Sequence, residues 1–188
     1  MSAPPRPSWE LERYRPLLRV LAWQLHLDPR LQRRFDGSDL VQETMVRAVG
    51  ALEQFRGGSE AELIRWLQEI LHNAFRDLVR RERAGRRDAA LEASLEAVVA
   101  GSSACLDRCL AAGQSSPSQH LERHELLLRW AEAVERLPLD QRDVVLLRDL
   151  HQLPVKRVAE LLGRTEKSVA GLLLRGRQEL RRSFPDYQ

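Results

Sequence analysis

Apolar positions along the chain recur mainly at intervals of three and four residues, the spacing that predicts amphipathic helices. After a Pro-rich start, a helix beginning near Pro16 is predicted within residues 9–27. A second helix is predicted to follow a cap at Ser38 or Asp39. Its expected inward stripe consists of Val41, Met45, Ala48, Leu52 and Phe55.

Residues 55–59 break the second helix, and a third, long helix is predicted over residues 60–83. Between residues 84 and 115 the pattern degrades into Ala, Ser, Gly and short apolar runs. This stretch is interpreted mainly as linker, with at most a brief helix around residues 90–99. The expected inward residues of the third helix are Leu63, Leu67, Ile70, Ala74 and Leu78.

Helical periodicity resumes at residues 117–136, and again near 140–150, 155–162 and 166–183. No segment alternates with period two for long enough to predict a strand, and the many Leu, Ala, Arg and Glu residues favour helices. We therefore expect an all-α fold of two small helical domains joined by a flexible linker. Without a long apolar run or a signal-peptide core, the chain is expected to be cytoplasmic, with no membrane span.

Charge is distributed unevenly, although the net charge is only +3. Residues 76–87 hold six Arg against two acids, residues 88–154 six Arg against eleven acids, and residues 155–184 eight Lys or Arg against three acids. Two basic clusters thus flank an acidic middle, which favours two contact points on one polyanion such as nucleic acid. Solvated helix faces would produce the same charge pattern.

A possible zinc site has the spacing C-x3-C-x10-H-x3-H, formed by Cys105, Cys109, His120 and His124. The interval between the two pairs is loop-like and lacks the apolar residues that would form a small core. Ser116 and Pro117 instead indicate the start of an ordinary surface helix. We therefore expect no metal and no cofactor, and two reduced thiols.

Residues 155–162 and 166–183 are predicted to form a helix-turn-helix. Ala159 and Gly163 are small where two helices would cross closely, and Gly163 can adopt the left-handed conformation that ends a helix. Thr165 can cap the second helix with its hydroxyl. A simple helical hairpin is the alternative. The expected shared interior consists of Val158, Leu162, Val169 and Leu173.

In a helix-turn-helix, the first residues of the second helix reach base edges in the major groove. Here Thr165, Glu166, Lys167 and Ser168 hold those positions, and Arg164, Arg175 and Arg177 are placed for phosphates. Ala170 and Gly171 are expected to let the helix lie close to DNA. Of Leu172 and Leu174, one is expected in the core and the other against a partner.

The third helix has an outward stripe, here called the α3 stripe, of Trp66, Glu69, Asn73, Arg76, Arg80 and Arg83. An aromatic ring can stack on an unpaired base, an amide can bond a base edge, and guanidinium groups bind phosphate. Nucleic acid is therefore the expected ligand of this stripe. The alternative is a Trp66 that is partly core and arginines that are merely solvated.

Three segments together resemble the sigma-70 family of transcription factors. Residues 39–44, DLVQET, are similar to the polymerase-binding segment of region 2. The break at residues 55–58, followed by residues 66–67 and 73–77, resembles the part of region 2 that recognises the −10 element. Residues 137–142 with the helix-turn-helix resemble region 4. The order, without room for further regions, is that of the extracytoplasmic-function (ECF) group.

The resemblance implies a sigma factor that joins core RNA polymerase and recognises −10 and −35 promoter elements. Its region 2-like and region 4-like domains would span residues 10–87 and 117–184, with a linker at 88–116 and tails at 1–9 and 185–188. The −10 residues would be Phe55, Trp66, Asn73, Arg76 and Arg80. The residues facing the polymerase β′ clamp helices would be Asp39, Leu40, Gln42, Glu43 and Thr44.

The implied partners are core RNA polymerase, through its β′ clamp helices and β flap, promoter DNA, and an anti-sigma factor. Family recognition helices often carry Lys or Arg where this chain has Ala170, Gly171 and Leu172. A helix-turn-helix regulator that does not join polymerase is the alternative function. We expect no enzyme, because no phosphate-binding glycine loop, metal-protease motif or nucleophilic triad is evident.

Overall fold

The computed structural model describes residues 9–25, 36–81, 89–110 and 117–183, without the side chains of residues 89 and 117–121. Within these residues every regular element is a helix, which confirms the all-α prediction. The chain divides into two compact units, residues 1–128 and 129–188. None of the described helices is long and apolar enough to cross a membrane.

Unit 1 begins with a 3₁₀ turn, Leu11–Tyr14, that leads into helix α1, Arg15–Leu25. Helix α2 spans Gly37–Ala51 and is followed by a 3₁₀ turn, Leu52–Gln54. Helix α3 spans Glu60–Arg81. The buried side chains of α1 and α2, among them Leu18, Leu25, Leu40 and Val41, form one core with those of α3.

The cap of α2 differs from the prediction of Ser38 or Asp39. The carboxylate of Asp36 accepts a hydrogen bond from the Ser38 backbone N–H at 2.8 Å, so α2 begins two residues earlier than a Ser38 cap would place it. Asp36 precedes a glycine, which obscures the helix start in the sequence pattern. The extra residues form the first turn of the helix.

A capping box fixes the start of α3. The Glu62 carboxylate accepts from the backbone N–H of Gly58 at 2.9 Å and of Ser59 at 3.0 Å, and the Glu62 N–H donates to Ser59 Oγ at 3.3 Å. These hydrogen bonds hold the pKa of Glu62 below its usual value. The preceding loop is thereby anchored to the helix that carries the α3 stripe.

The buried side of α3 is wider than predicted. Leu63, Leu67 and Ala74 are buried as expected, whereas Ile70 and Leu78 are only half-buried. A second buried line runs beside the first because α3 is covered on more than one side. It consists of Ile64, Leu71, Phe75 and Val79.

The interpretation of residues 88–116 mainly as linker needs correction, because Ala89–Leu110 forms a 22-residue helix, α4. It packs on α1 and α3 within unit 1. Gln68 Nε2 on α3 donates to the Ser102 carbonyl at 3.2 Å, and Gln24 Nε2 on α1 contacts Cys105 Sγ at 3.6 Å. The inward side chains of α4 include Leu91, Leu95, Val99, Ser102, Leu106 and Leu110.

Helix α5, Pro117–Glu135, contains the division between the two units. Unit 2 continues with α6, Leu139–Val145, which runs on into a π-helical turn, Leu146–Leu150. Helices α7, Val155–Leu162, and α8, Glu166–Ser183, follow. The turn between α7 and α8 has the geometry predicted for a helix-turn-helix.

That turn is built by Gly163 and Thr165. Gly163 has φ +61°, in the left-handed region, and the Arg164 N–H donates to the Ala159 carbonyl at 2.9 Å. Thr165 Oγ1 accepts from the Ser168 N–H at 3.2 Å and so caps α8. The shared interior holds Val158, Val169 and Leu173 as predicted, while Leu162 is half-buried.

Candidate nucleic-acid and protein-docking surfaces

Helix α2 exposes only part of the segment that was expected to face a partner. Asp39 and Gln42 are exposed and Glu43 is half-buried. Leu40 and Thr44 are fully buried, and Thr44 Oγ1 donates to the Leu40 carbonyl at 2.7 Å. The prediction that these two residues face a partner is therefore corrected: they belong to the core of unit 1.

Two further residues of this surface were missed in the sequence. Val46 and Val49 are 68% and 64% exposed, and they follow Asp39 and Gln42 at helical spacing. We call the surface formed by Asp39, Gln42, Glu43, Val46 and Val49 the docking face of α2. The positions 39, 42, 46 and 49 lie on one side of a helix, and this spacing is visible in the sequence.

Arg47 ties the docking face to α3. Its guanidinium donates to the Glu43 carboxylate and to the Asp77 carboxylate, both at 2.8 Å. The hydrogen bond from Arg47 lowers the pKa of Asp77. One end of the docking face is thus held in a fixed position relative to the helix that carries the α3 stripe.

Aromatic rings cluster at the start of α3. The centroids of Phe55 and Trp66 lie 5.0 Å apart, and Trp9 approaches Phe55 edge-on at 6.4 Å. A Cβ on Gly57 would overlap the Phe55 ring and lie 3.0 Å from Glu62 Cβ. Only glycine at position 57 leaves room for the ring where it is. Phe55 and Trp66 are both half-buried, and we call them the aromatic pair.

The α3 stripe is partly occupied by contacts within the chain. Asn73 and Arg80 are exposed, while Arg83 lies outside the described residues. Arg76 donates through Nε and Nη2 to the two carboxylate oxygens of Glu96 on α4, both at 3.0 Å. This bidentate pair lowers the pKa of Glu96 and raises that of Arg76.

Beneath that ion pair lies His72, which is fully buried. Neither of its ring nitrogens has a hydrogen-bond partner in the described part of the chain. Burial, reinforced by the positive charge of Arg76, lowers the pKa of His72 to about 4. The imidazole is therefore neutral at pH 7 and serves as a packing group under the α3 stripe.

The residues predicted to reach base edges, 165–168, are here called the reading end of α8, and most of them are accessible to solvent. Thr165, Glu166 and Lys167 are exposed. Ser168 is half-buried, and its N–H donates to the Thr165 hydroxyl that caps the helix. Leu172 is buried, whereas Leu174 is 58% exposed, which separates the two leucines as expected.

The arginines expected at phosphates differ from one another in their contacts. Arg164 pairs with Asp140 at 2.8 Å, and Arg177 forms an ion pair with Asp149. Arg175 is exposed, and its Nη1 lies 3.4 Å from the position that a Cβ on Gly171 would take. Arg177 holds α8 to the turn after α6, so the prediction that it contacts phosphate conflicts with its ion pair. Arg175 is the more available phosphate ligand.

The cysteines and histidines do not come together as a metal site among the residues whose side chains are described. Cys105 is buried on α4, and a hydrogen bond from Cys109 lowers the pKa of its thiol to about 7. The Nδ1 atom of His124 lies 3.9 Å from the Glu60 carboxylate. The side chain of His120 lies outside the described residues.

Family models match both units of this chain. The model of sigma-70 region 2 matches residues 11–85, and the model of sigma-70 region 4 matches residues 127–180. Together the two segments make up more than half of the chain. The chain belongs to the sigma-70 family.

Relatives in this family are similar over most of the chain. The ECF RNA polymerase sigma factor SigE of Mycolicibacterium smegmatis is 28% identical over 93% of this chain and 61% of its own length. The ECF RNA polymerase sigma factor EcfG of Rhodopseudomonas palustris is 31% identical over 76% of this chain and 67% of its own length. Both relatives are extracytoplasmic-function factors, and the chain belongs to that group. It spans 61% of the length of the first relative and 67% of the second.

A solved structure of the sigma factor RpoE from Bartonella quintana, in complex with the anti-sigma factor NepR, aligns with a TM-score of 0.36. Its sequence is 21% identical, and the alignment covers 95% of this chain and 96% of that chain.

Each of the surfaces described above lies within one of the two family matches. The region 2 match includes α1, α2 and α3, and therefore the docking face, the aromatic pair and the α3 stripe. The region 4 match contains α6, α7 and most of α8. Helix α4 lies between the two matches, so the contact of Glu96 with Arg76 joins a sigma-70 region to a segment that neither model matches.

Proposed function

We propose that this chain is a sigma factor that binds core RNA polymerase and directs transcription from promoters with −10 and −35 elements. The −10 and polymerase contacts are assigned to residues 10–87, and the −35 contacts to residues 117–184. The alternative is a helix-turn-helix regulator that binds DNA without polymerase.

One observation carries this proposal over the alternative. The unit that contains no helix-turn-helix has two surfaces of its own with exposed residues. They are the docking face of α2 and the α3 stripe, of which Glu69, Asn73 and Arg80 are exposed. A regulator that used only its helix-turn-helix would need neither of them. The docking face combines an acidic group, Asp39, with exposed Val46 and Val49, which is a composition suited to a protein partner.

The aromatic pair and the α3 stripe act on the −10 element in this proposal. An unpaired base can stack on Phe55 or Trp66, and Asn73 can bond a base edge while Arg80 binds phosphate. Binding energy for the single strand offsets the cost of unpairing, about a few kcal/mol for a base, so no nucleotide hydrolysis is needed. Arg76 joins this contact by leaving Glu96.

Helix α8 reads the −35 duplex in this proposal. Its N-terminus lies at the capped turn, so Lys167 can donate to a guanine edge and Glu166 can accept from a cytosine amino group. Arg175 supplies a phosphate contact near the middle of the helix. Arg177 instead stabilises unit 2 through Asp149.

Assembly with core polymerase tests the proposal directly. Purified chain is mixed with core RNA polymerase and followed by gel filtration, together with the variants Asp39→Arg and Glu122→Arg. We expect the chain to co-migrate with core and Asp39→Arg to bind at least about tenfold more weakly, because a charge is reversed within the docking face. Glu122→Arg is the matched control, since Glu122 is exposed on α5.

Two results would count against the proposal. A wild-type chain that does not bind core would favour the helix-turn-helix regulator, particularly if it still bound DNA. Equal losses for Asp39→Arg and Glu122→Arg would show a non-specific effect of charge and would contradict the assignment of the docking face.

A further inference from the structure

The outward side of α8 has an unusual composition for a helix that is to lie in a DNA groove. Its buried side is formed by Val169, Leu172, Gly176 and Leu180. The opposite side carries Lys167, Gly171 and Leu174, spaced four and three residues apart. Leu174 is 58% exposed and lies near the centre of this outward side.

The positions between the reading end and Leu174 on the outward side are occupied by small residues. Ala170 is exposed, and a Cβ on Gly171 would meet only the far end of the Arg175 side chain. Between Lys167 and Leu174 the outward side therefore carries only Ala170 and Gly171, and the group that overlies them is the guanidinium end of the flexible Arg175 side chain. The leucine can reach a flat surface that is placed against this side of the helix.

Charge on the same helix indicates what that surface is. Lys167 precedes the apolar patch formed by residues 170, 171 and 174, and Arg175 and Arg181 follow it along the helix. All three cations are exposed. Cations on both sides of a small apolar group suit the major groove, where phosphates border the base edges. A protein partner with an apolar groove would gain nothing from these three cations unless it were itself acidic.

Of the four bases, only thymine presents a methyl group in the major groove, and apolar side chains contact it. We propose that Leu174 recognises the methyl group of a thymine in the −35 element, and that the small methyl group of Ala170 and the absence of a side chain at Gly171 allow its approach. The inference rests on the proposed function. Leu174 lies seven residues beyond Lys167, roughly 10 Å along the helix, so the thymine and the base that Lys167 contacts belong to different base pairs of the element.

Replacement of thymine by deoxyuridine tests this, since it removes only the methyl group. Holoenzyme assembled from core polymerase and the full chain first selects its promoter from a random library. Each thymine of the upstream element is then replaced singly in duplex DNA, and competition binding is measured. We expect binding to weaken about fourfold at one thymine, the factor that corresponds to burial of one methyl-sized group.

The variant Leu174→Ala should bind the thymine and deoxyuridine duplexes equally. The matched control is Leu139→Ala, another exposed leucine of unit 2, on α6, which should keep the full difference. Because both side chains are exposed, neither variant is expected to unfold the protein.

Each remaining outcome overturns the inference. Holoenzyme that binds without a difference between thymine and deoxyuridine at any upstream position contradicts it, as does a difference that persists in Leu174→Ala. Both results leave the proposed function intact. Failure to assemble with core, or selection of DNA without a two-part motif, removes the proposed function and this inference with it.

Discussion

At the residue scale, the two glycines of α8 differ in the space around them. A Cβ on Gly176 would lie 2.9 Å from Val145 Cγ2 and 3.4 Å from Gln141 Cβ, whereas one on Gly171 would meet only the Arg175 guanidinium, at 3.4 Å from Nη1 and 4.0 Å from Nη2. Gly176 is therefore required where α8 crosses α6. Gly171 lies on the open side of the same helix.

We expect Gly176→Ala to lower the free energy of unfolding of unit 2 by about 1–3 kcal/mol, because the added methyl group overpacks the helix crossing. Gly171→Ala should raise it by about 1 kcal/mol, since alanine favours a helix and nothing rigid obstructs it. Urea unfolding of the full chain measures both changes. Shifts of the same sign in the two variants would contradict this packing.

His72 makes the stability of unit 1 depend on pH. Burial lowers its pKa to about 4, whereas an exposed histidine titrates near about 6.5. As pH falls through this interval, the unfolded chain binds the proton first, so the free energy of unfolding decreases. The loss reaches up to about 3 kcal/mol between pH 6.5 and pH 4.

The comparison that isolates this effect is His72→Leu. Both proteins also contain titrating carboxylates, and those contributions cancel when thermal unfolding curves are subtracted at each pH. The wild type should lose more stability than the variant on acidification. Parallel pH profiles for the two proteins would show that His72 does not carry the effect.

At the residue scale, the sequence predicted the turn of the helix-turn-helix well, because Gly163 and Thr165 act through local backbone geometry. It could not separate Gly171 from Gly176, since only the packing of α6 distinguishes them. Leu40 and Thr44 were misplaced for a similar reason. The segment at residues 39–44 contains both exposed residues and residues that are buried in the core of unit 1, and only the packing distinguishes them.

At the scale of elements, the loop before α3 depends on one small residue. Gly57 makes room for the Phe55 ring, whereas a Cβ on Gly58 would meet nothing within 4 Å. We expect Gly57→Ala to displace Phe55 from Trp66 and to weaken binding of holoenzyme to DNA with a single-stranded −10 element by about tenfold, the order of one lost base stack. Fluorescence anisotropy measures this affinity.

Gly58→Ala is the matched control, because it adds the same methyl group one residue away. It should bind the single-stranded element like the wild type. If Gly58→Ala weakened binding as much as Gly57→Ala, the loss would come from the loop backbone and not from the aromatic pair.

Helix α4 is longer than the brief helix considered around residues 90–99, and its full length was not predicted because the sequence contains Gly101-Ser102-Ser103, a run typical of loops. In the structure Ser102 is buried, and Gln68 Nε2 donates to its carbonyl at 3.2 Å and to its Oγ at 3.5 Å. A polar residue can thus occupy an inward helix position when a partner on a neighbouring helix bonds it. The signal was present in the apolar spacing at positions 91, 95, 99, 106 and 110.

The ion pair between Arg76 and Glu96 is expected to compete with DNA. Glu96→Gln removes the negative charge, so Arg76 becomes available to the −10 strand. Binding of the single-stranded element should tighten by about two- to fivefold, the range of an exposed ion pair. The control is Asp107→Asn, because its partner Arg65 lies off the α3 stripe. Unchanged affinity for Glu96→Gln would show that Arg76 does not contact the strand.

At the scale of the whole molecule, charge and periodicity predicted two helical units with a basic surface in each. The division between units falls within α5, between Leu128 and Arg129, rather than at the linker expected from composition. Composition located the change in pattern near residue 84, but it could not indicate that α4 folds onto unit 1. That fact depends on long-range contacts of Gln24 and Gln68.

Run-off transcription tests the central claim most directly. Core RNA polymerase with and without the chain is presented with a library of genomic fragments, and the 5′ ends of the transcripts are mapped. The account predicts transcripts that require the chain and begin downstream of a shared two-part motif. Lys167→Ala should relax the upstream part, and Trp66→Ala should impair use of the downstream part. Transcription no greater than that of core alone, with a chain that still binds DNA, would contradict the account.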